Sequence, residues 1–219
     1  MLDTPNVDRH GDTQVDRQGD RQGRRREQTR REILDAAWDI ARTAGLTGVT
    51  LRDVAQRVGM RAPSLYTHFD SKHAIYDAMF GEAWSAYEQV KLAEEARLTD
   101  DLRECAHLIA RTFFDFAVAD PPRYQLMNQR VIPGFEPSAE SYAPAVRVLE
   151  SAHRIAADRG LQDPDDLLLL LAIIGGLIDQ QIANDPGGDR FARMLPRAVD
   201  MWADAVGESR TITPERDPR

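Results

Sequence analysis

One cysteine, Cys105, stands among 219 residues, so no disulfide can close within the chain and no cysteine-based metal site is available. Cys105 falls on an apolar helical stripe and reads as a buried structural thiol. Long apolar runs are scarce too. The longest, Leu167–Ile178, is twelve residues, short of the roughly 20 that a membrane-spanning helix needs. The polar, acidic amino terminus has no secretory signal pattern, and the expected compartment is the cytoplasm. No Walker loop, G-x-G-x-x-G after a strand, H-E-x-x-H or cysteine pair occurs. The histidines, at positions 10, 68, 73, 107 and 153, lack metal-site spacing. His68 and His73 stand five apart across a predicted helix boundary, which disfavours a shared ion. Neither a metal, a cofactor nor a catalytic residue is expected.

What is present is charge, unevenly placed. The formal net charge is -8. Residues 24–76 carry ten basic against six acidic residues, a balance of +4, whereas residues 77–219 carry fifteen against twenty-five. A basic head on an acidic body attracts phosphate at one end and repels it elsewhere.

Helical periodicity runs through almost the whole chain, and no useful alternating run or internal repeat interrupts it. Ile33, Ala37, Ile40, Ala41 and Ala44 share one face of a helix over 28–44, which Gly45 stops; Trp38 reads as core. Further helices are predicted over 51–58, 62–68, from Ser71 to about 97, and near 101–119, 121–132, 138–159, 164–184 and 189–206. Pro121-Pro122, Pro133-Gly134, Gly160 and Pro186-Gly187-Gly188 separate them. The fold class is therefore all-α. Four segments are expected: a disordered extension over 1–23, a three-helix head over 24–72, a helical body over 73–206 and a frayed tail over 207–219. Arg24, Arg25 and Arg26 read either as a solvated charge run or as an arm laid on phosphates or in a minor groove.

The head carries the sharpest signal. Thr50 and Asp53 form a T-x-x-D start. Leu51, Val54, Ala55 and Val58 then make one face of a two-turn helix, with Ala55 small enough for a second helix to cross close above it. Gly59 can take the left-handed conformation that ends this helix. Pro63 suits the first turn of the next one. Leu65 and Phe69 point to the core, and Ser64, Thr67 and His68 lie largely elsewhere, flanked by Arg61 and Lys72. Such a short polar-faced helix fits a major groove.

The segment V-A-Q-R-V-G-M-R-A-P-S-L-Y-T-H-F-D-S-K resembles the DNA-binding signature of TetR-family (tetracycline-repressor-like) transcriptional regulators, with the close match over roughly residues 28–80. The resemblance implies an all-α homodimer that binds a palindromic double-stranded operator and is released by a small molecule. It further implies that Thr50, Tyr66 and Lys72 hold phosphates, that Arg52 and Arg61 reach base edges or backbone, and that Ser64, Thr67 and His68 sit on the groove face. Tyr66, beside Leu65 and Phe69, also reads as core. Ala62 stands where many relatives carry a larger polar group, so it offers at most a thymine-methyl contact. Two other functions compete: a helical enzyme with an unrecognised site in the body, and a non-specific architectural DNA binder.

In the body, Leu102, Cys105, Ile109, Phe113 and Phe116 form one stripe of the 101–119 helix, and His107, Arg111, Phe114 and Val118 a mixed second one. The second stripe is expected to line a mostly apolar pocket for an unidentified effector, with Tyr124, Asn128, Arg130, Tyr142 and Gln180 offering polar contacts. The 164–184 helix is apolar almost all round, and its Gly175-Gly176 pair suggests close backbone approach. With the resemblance, the expected dimer contact is 164–206, through Leu171, Ile174, Gly175, Ile178, Met201 and Trp202.

Overall fold

The computed structural model describes residues 12–212. Among the described residues there are nine α-helices and no strand: α1 (Asp12–Ala44), α2 (Leu51–Arg57), α3 (Ala62–Leu65), α4 (Lys72–Glu94), α5 (Leu102–Ala119), α6 (Pro121–Asn128), α7 (Ala139–Asp158), α8 (Pro164–Asn184) and α9 (Leu195–Ile212). Each falls where periodicity predicts, with shifted ends. The largest shift is in α1, which starts at Asp12, so residues 12–23 of the expected disordered extension are its first turns. Low apolar content argues that those turns pack on little, but a helix growing from a packed segment avoids the cost of nucleation. At the other end α9 runs on to Ile212. The remaining parts of the two expected disordered segments, 1–11 and 213–219, lie outside the described residues.

Two compact units divide between Ile75 and Tyr76, inside α4. In the first, Ile33, Ala37, Ile40 and Ala41 of α1 are buried on one face with Trp38, against Leu46, Val49, Val54, Ala55, Leu65 and Phe69. Gly45, at φ 75, stops α1, and Ala44 is exposed.

In the second unit α5 packs on α8 and α9. Its innermost residues are not the predicted stripe. Ala106, Ala110 and Ala117 are buried with Phe114, while Leu102 and Phe113 are only partly covered. Alanines bring helix axes close together, and the larger side chains then flank the seam. Cys105 is buried as expected, its thiol donating to the Thr99 carbonyl at 3.1 Å.

α8 divides its apolar residues between two faces. Leu167, Leu170, Ile174 and Ile178 enter the core, each full burial contributing about 1.5–3 kcal/mol. Leu168 and Leu169 remain half exposed on the other side. Nothing lies within 4 Å of a Cβ added at Gly176, and at Gly175 only the Tyr124 hydroxyl does, at 3.7 Å. The close approach expected at the glycine pair is therefore not made among the described residues. α8, at 21 residues with a mean hydropathy of 1.6 in its most apolar window, is long and apolar enough to cross a bilayer, contrary to the estimate from the twelve-residue run. Its buried face nonetheless belongs to the chain's own core.

Two polar knots hold the second unit. Asp77 of α4 accepts from the Ser138 amide at 2.6 Å and from the Ser138 and Ser141 hydroxyls at 2.8 Å each, which fixes the start of α7 on α4. Gln181, buried on α8, accepts from the Phe191 and Ala192 amides at 3.0 and 3.3 Å and donates to the Asp185 carbonyl. One amide thus closes the whole 185–192 loop.

Candidate nucleic-acid interface

The two short helices of the first unit are built from the cap outward. Thr50 is extended, at φ -124 and ψ 148, and its hydroxyl accepts from the Asp53 amide at 3.1 Å while donating to the Asp53 carboxylate at 2.7 Å. α2 ends at Gly59, where φ is 70, and the Met60 amide reaches back to the Ala55 carbonyl at 2.8 Å. That six-to-one bond is the helix-stop geometry that left-handed glycine permits. Arg61 stands at the N-cap position of α3 without a side-chain cap bond, and Pro63 in the first turn has no amide to satisfy. α3 proper is one turn, Ala62–Leu65, shorter than the 62–68 expected. Further bonds, His68 amide to Leu65 carbonyl at 2.9 Å and Phe69 amide to the same carbonyl at 3.0 Å, carry the coil through Phe69.

The side chains then sort by face. Leu65 and Phe69 are buried. Arg52, Arg61, Ser64, Tyr66 and Thr67 are exposed, as is Thr50; Ala62, His68 and Lys72 are half-buried. Tyr66, 51 % exposed, belongs to the outer surface and not to the core. The Thr67 hydroxyl donates to the Ser64 carbonyl at 2.7 Å, and Lys72 reaches the Thr47 carbonyl at 3.3 Å. The nine residues expected on the DNA side thus occupy one contiguous stretch from the start of α2 to the start of α4.

Sequence reading missed the support behind that stretch. Arg30 of α1 donates to the His68 carbonyl and lies 4.1 Å from the centre of the Phe69 ring; Arg26 donates to the Thr67 carbonyl at 3.4 Å. Both cations therefore sit at the carboxy end of the reading helix, where the backbone presents unpaired carbonyls and negative dipole. The signal was present in the spacing. Arg26, Arg30, Ile33 and Ala37 recur at i, i+4, i+7 and i+11, one inward face.

The expected effector residues separate. A groove of about 720 Å³ lies between the end of α4 and the outer side of α5, and His107 and Arg111 line it with Val90, Glu94, Thr112 and Phe116. The others lie elsewhere, Arg130 among them, exposed beyond the end of α6. Phe114, 1 % exposed, is core, because the alanine seam turns that side of α5 inward. Tyr124 is also core; its hydroxyl meets the Gly175 carbonyl at 3.5 Å, and burial, then the Asp179 charge, push its pKa up. Asn128 turns back onto the Tyr124 carbonyl at 3.2 Å. Tyr142 is exposed on α7 and stacks on Phe80, ring centres 5.9 Å apart. Gln180 is exposed and bonds Asn184; the buried glutamine is its neighbour Gln181. Within the groove wall, His107 meets Asp200 of α9 at 2.8 Å and Arg111 donates to Asp115 at 2.7 Å.

The expected dimer residues divide likewise. Ile174, Ile178 and Trp202 are buried inside the chain, the Trp202 indole donating to the Asp166 carbonyl at 2.8 Å, so they have no area to offer a partner. Helical period puts Ile174 and Ile178 on the same face as Leu167 and Leu170. Leu171 and Gly175 are partly covered, and Met201 is 62 % exposed.

A capped helix, a left-handed glycine turn and a short second helix with a polar outer face define a helix-turn-helix protein of the nucleic-acid-binding class. Residues 33–79 match the family model described as "Bacterial regulatory proteins, tetR family". The chain is 27 % identical over 185 residues to the tetracycline repressor protein class A from transposon 1721 of Escherichia coli, covering 79 % of this chain and 80 % of that one. Against the class D tetracycline repressor of Escherichia coli it is 33 % identical over 63 residues, 29 % of each chain. Among solved structures, a TetR family transcription regulator from Marinobacter aquaeolei VT8 shares the fold at a TM-score of 0.62 and 18 % identity, over 83 % of this chain and 97 % of that one. FadR from Bacillus subtilis, solved with stearoyl-CoA, does so at 0.65 and 15 %, over 78 % and 96 %. Residues 33–79 are thus of the TetR family of bacterial regulatory proteins, and the chain as a whole is similar to TetR-family transcriptional regulators.

Proposed function

We propose that this regulator is a homodimeric repressor that reads a palindromic operator and leaves it when a small molecule binds the body. The observation that carries the reading is the exposed run Arg61, Ser64, Tyr66 and Thr67, beside Arg52 and backed by a fully buried Leu65 and Phe69. Arg52 and Arg61 are the base-edge or backbone contacts; Thr50, Tyr66 and Lys72 hold phosphates; Ser64, Thr67 and His68 face the groove, with Ala62 against a thymine methyl. A guanine read bidentately by one of the arginines would contribute about 1–3 kcal/mol of discrimination. A protein with these duties works in the cytoplasm, where the DNA is.

The effector site is the groove between α4 and α5, with His107 and Arg111 as polar contacts and Val90 and Phe116 as apolar ones. The solved relatives support a small-molecule role: one was crystallised with stearoyl-CoA, and a TetR variant from Acinetobacter baumannii AYE with minocycline. α4 carries the signal, because its last turns line the groove and its first residues, from Lys72, belong to the reading unit. The partner subunit covers the exposed side of α8 and α9, through Leu168, Leu169 and Met201.

Selection from a random duplex pool, followed by titration of the winning site, tests the reading. The expected winner is a palindrome whose half-sites lie about 34–36 Å apart, one helical turn, bound far more tightly than random duplex. Equal affinity for every sequence would establish the architectural alternative instead. Leu169→Glu should yield a monomer by sedimentation and abolish palindrome binding; an unaltered dimer would remove α8 from the interface.

A further inference from the structure

We infer that the amino-terminal turns of α1 form a second DNA contact, a helical one, on the phosphates that flank each operator half-site. The inference rests on α2 and α3 being the operator reader and extends the surface beyond them. Between Arg21 and Arg31 the chain carries six arginines and one acid, Glu27. These arginines have two fates. Arg26 and Arg30 turn inward onto the Thr67 and His68 carbonyls, which tethers α1 to the end of the reading helix. Arg21, Arg24, Arg25 and Arg31 are exposed, and helical spacing puts them on one side, away from the face that holds Ile33 and Ala37.

Position then selects the partner. α1 is tied to the reading helix at Arg26 and continues back to Asp12, about 20 Å at the rise of an α-helix. A surface that passes the end of a groove-reading helix meets next the phosphate backbone beside that groove. Arginine on that path neutralises phosphate and releases counterions without reading sequence. An arm of irregular chain would do this job through any spacing; a helix does it with arginines in fixed register. Gly23 lies within this stretch, and among the described residues nothing comes within 4 Å of a Cβ added there, so a larger residue at that point meets no neighbour.

The test compares the full chain with the double variant Arg21→Ala/Arg25→Ala and with Gly23→Pro, which breaks the helix while keeping every charge. Operator affinity is measured over a salt series on two duplexes, one trimmed flush to the selected palindrome and one with ten flanking base pairs on each side. On the long duplex the double variant should flatten the logarithmic salt slope by about two per subunit, at roughly 0.9 per phosphate contact. Gly23→Pro takes Arg21 out of the helical register but leaves Arg24 and Arg25 in it, so it should flatten the slope by about one per subunit, and on the trimmed duplex all three proteins should agree. Base preference should not change, and circular dichroism verifies that the head stays folded. A double variant with the parental slope on the long duplex overturns the contact. A parental slope for Gly23→Pro overturns its helical nature. Absence of operator binding by the unaltered chain on both duplexes would instead refute the helix-turn-helix reading, before either variant is considered.

Discussion

Arg30 separates a structural cation from a DNA-contacting one, and the two roles predict different data. Its guanidinium donates to the His68 carbonyl and stacks over Phe69 at 4.1 Å. A hydrogen bond to a charged group contributes about 1.5–3 kcal/mol, and a cation over an aromatic face about 0.5–1 kcal/mol at partly exposed sites. Arg30→Met keeps the aliphatic stem and removes both interactions, so the expected loss of stability is about 2–3 kcal/mol after part of the freed carbonyl is rehydrated. Arg30→Lys keeps the charge but not the planar stack and should lose about half of that. Urea unfolding followed by tryptophan fluorescence reports the stability; Trp38, buried in the same unit, is the probe. Operator affinity should fall in parallel, because the end of the reading helix loosens, while the slope of affinity against salt stays that of the parent. A slope flattened by about 0.9 with stability untouched would mean that Arg30 holds a phosphate, and the clamp would be refuted.

Two further outcomes follow from the same geometry. Gly59→Ala should destabilise the first unit by about 1–2 kcal/mol and weaken operator binding; a Cβ there meets nothing within 4 Å, so the whole effect is the positive φ, and an unchanged midpoint in thermal unfolding would contradict it. The His107 hydrogen bond, then that of Arg103, hold the Asp200 carboxyl below the ordinary carboxylate range. A carboxyl depressed in the folded state stabilises above its unfolded pKa, about 3.9, and that contribution is lost as pH falls through the folded value. The stability difference between the parent and Asp200→Asn should therefore shrink as pH falls below about 4; a difference that persists undiminished there would show that the α5–α9 tie does not depend on the carboxylate.

The head was legible almost residue by residue, because its signals are local. Cap, left-handed glycine and reading helix lie within about twenty residues, and Thr50, Gly59 and Leu65 each act on near neighbours. The effector residues were not legible, because they depend on which side of α5 faces inward. Large apolar groups suggested one stripe, yet Ala106, Ala110 and Ala117 set the packing, and alanine gives almost no periodic signal. Phe114 consequently moved from groove to core. Gln180 and Gln181 differ by one residue, about 100° of helix turn, and only neighbouring chain fixes which is inside. α8 had the same difficulty: an all-apolar sequence does not say which leucines meet their own core and which are left for a partner.

The alanine seam of α5 has a consequence for descent. One side of that helix is committed to contacts that any larger residue would disrupt, while Arg111 and Asp115 on the other are exposed, line the groove and bond each other. Substitutions on the groove side therefore leave the packing unaltered, and those on the seam leave the groove chemistry unaltered. On the proposed assignment of this groove to the effector, a lineage would exchange one inducer for another by drifting along a single face, with the packing behind it inherited intact.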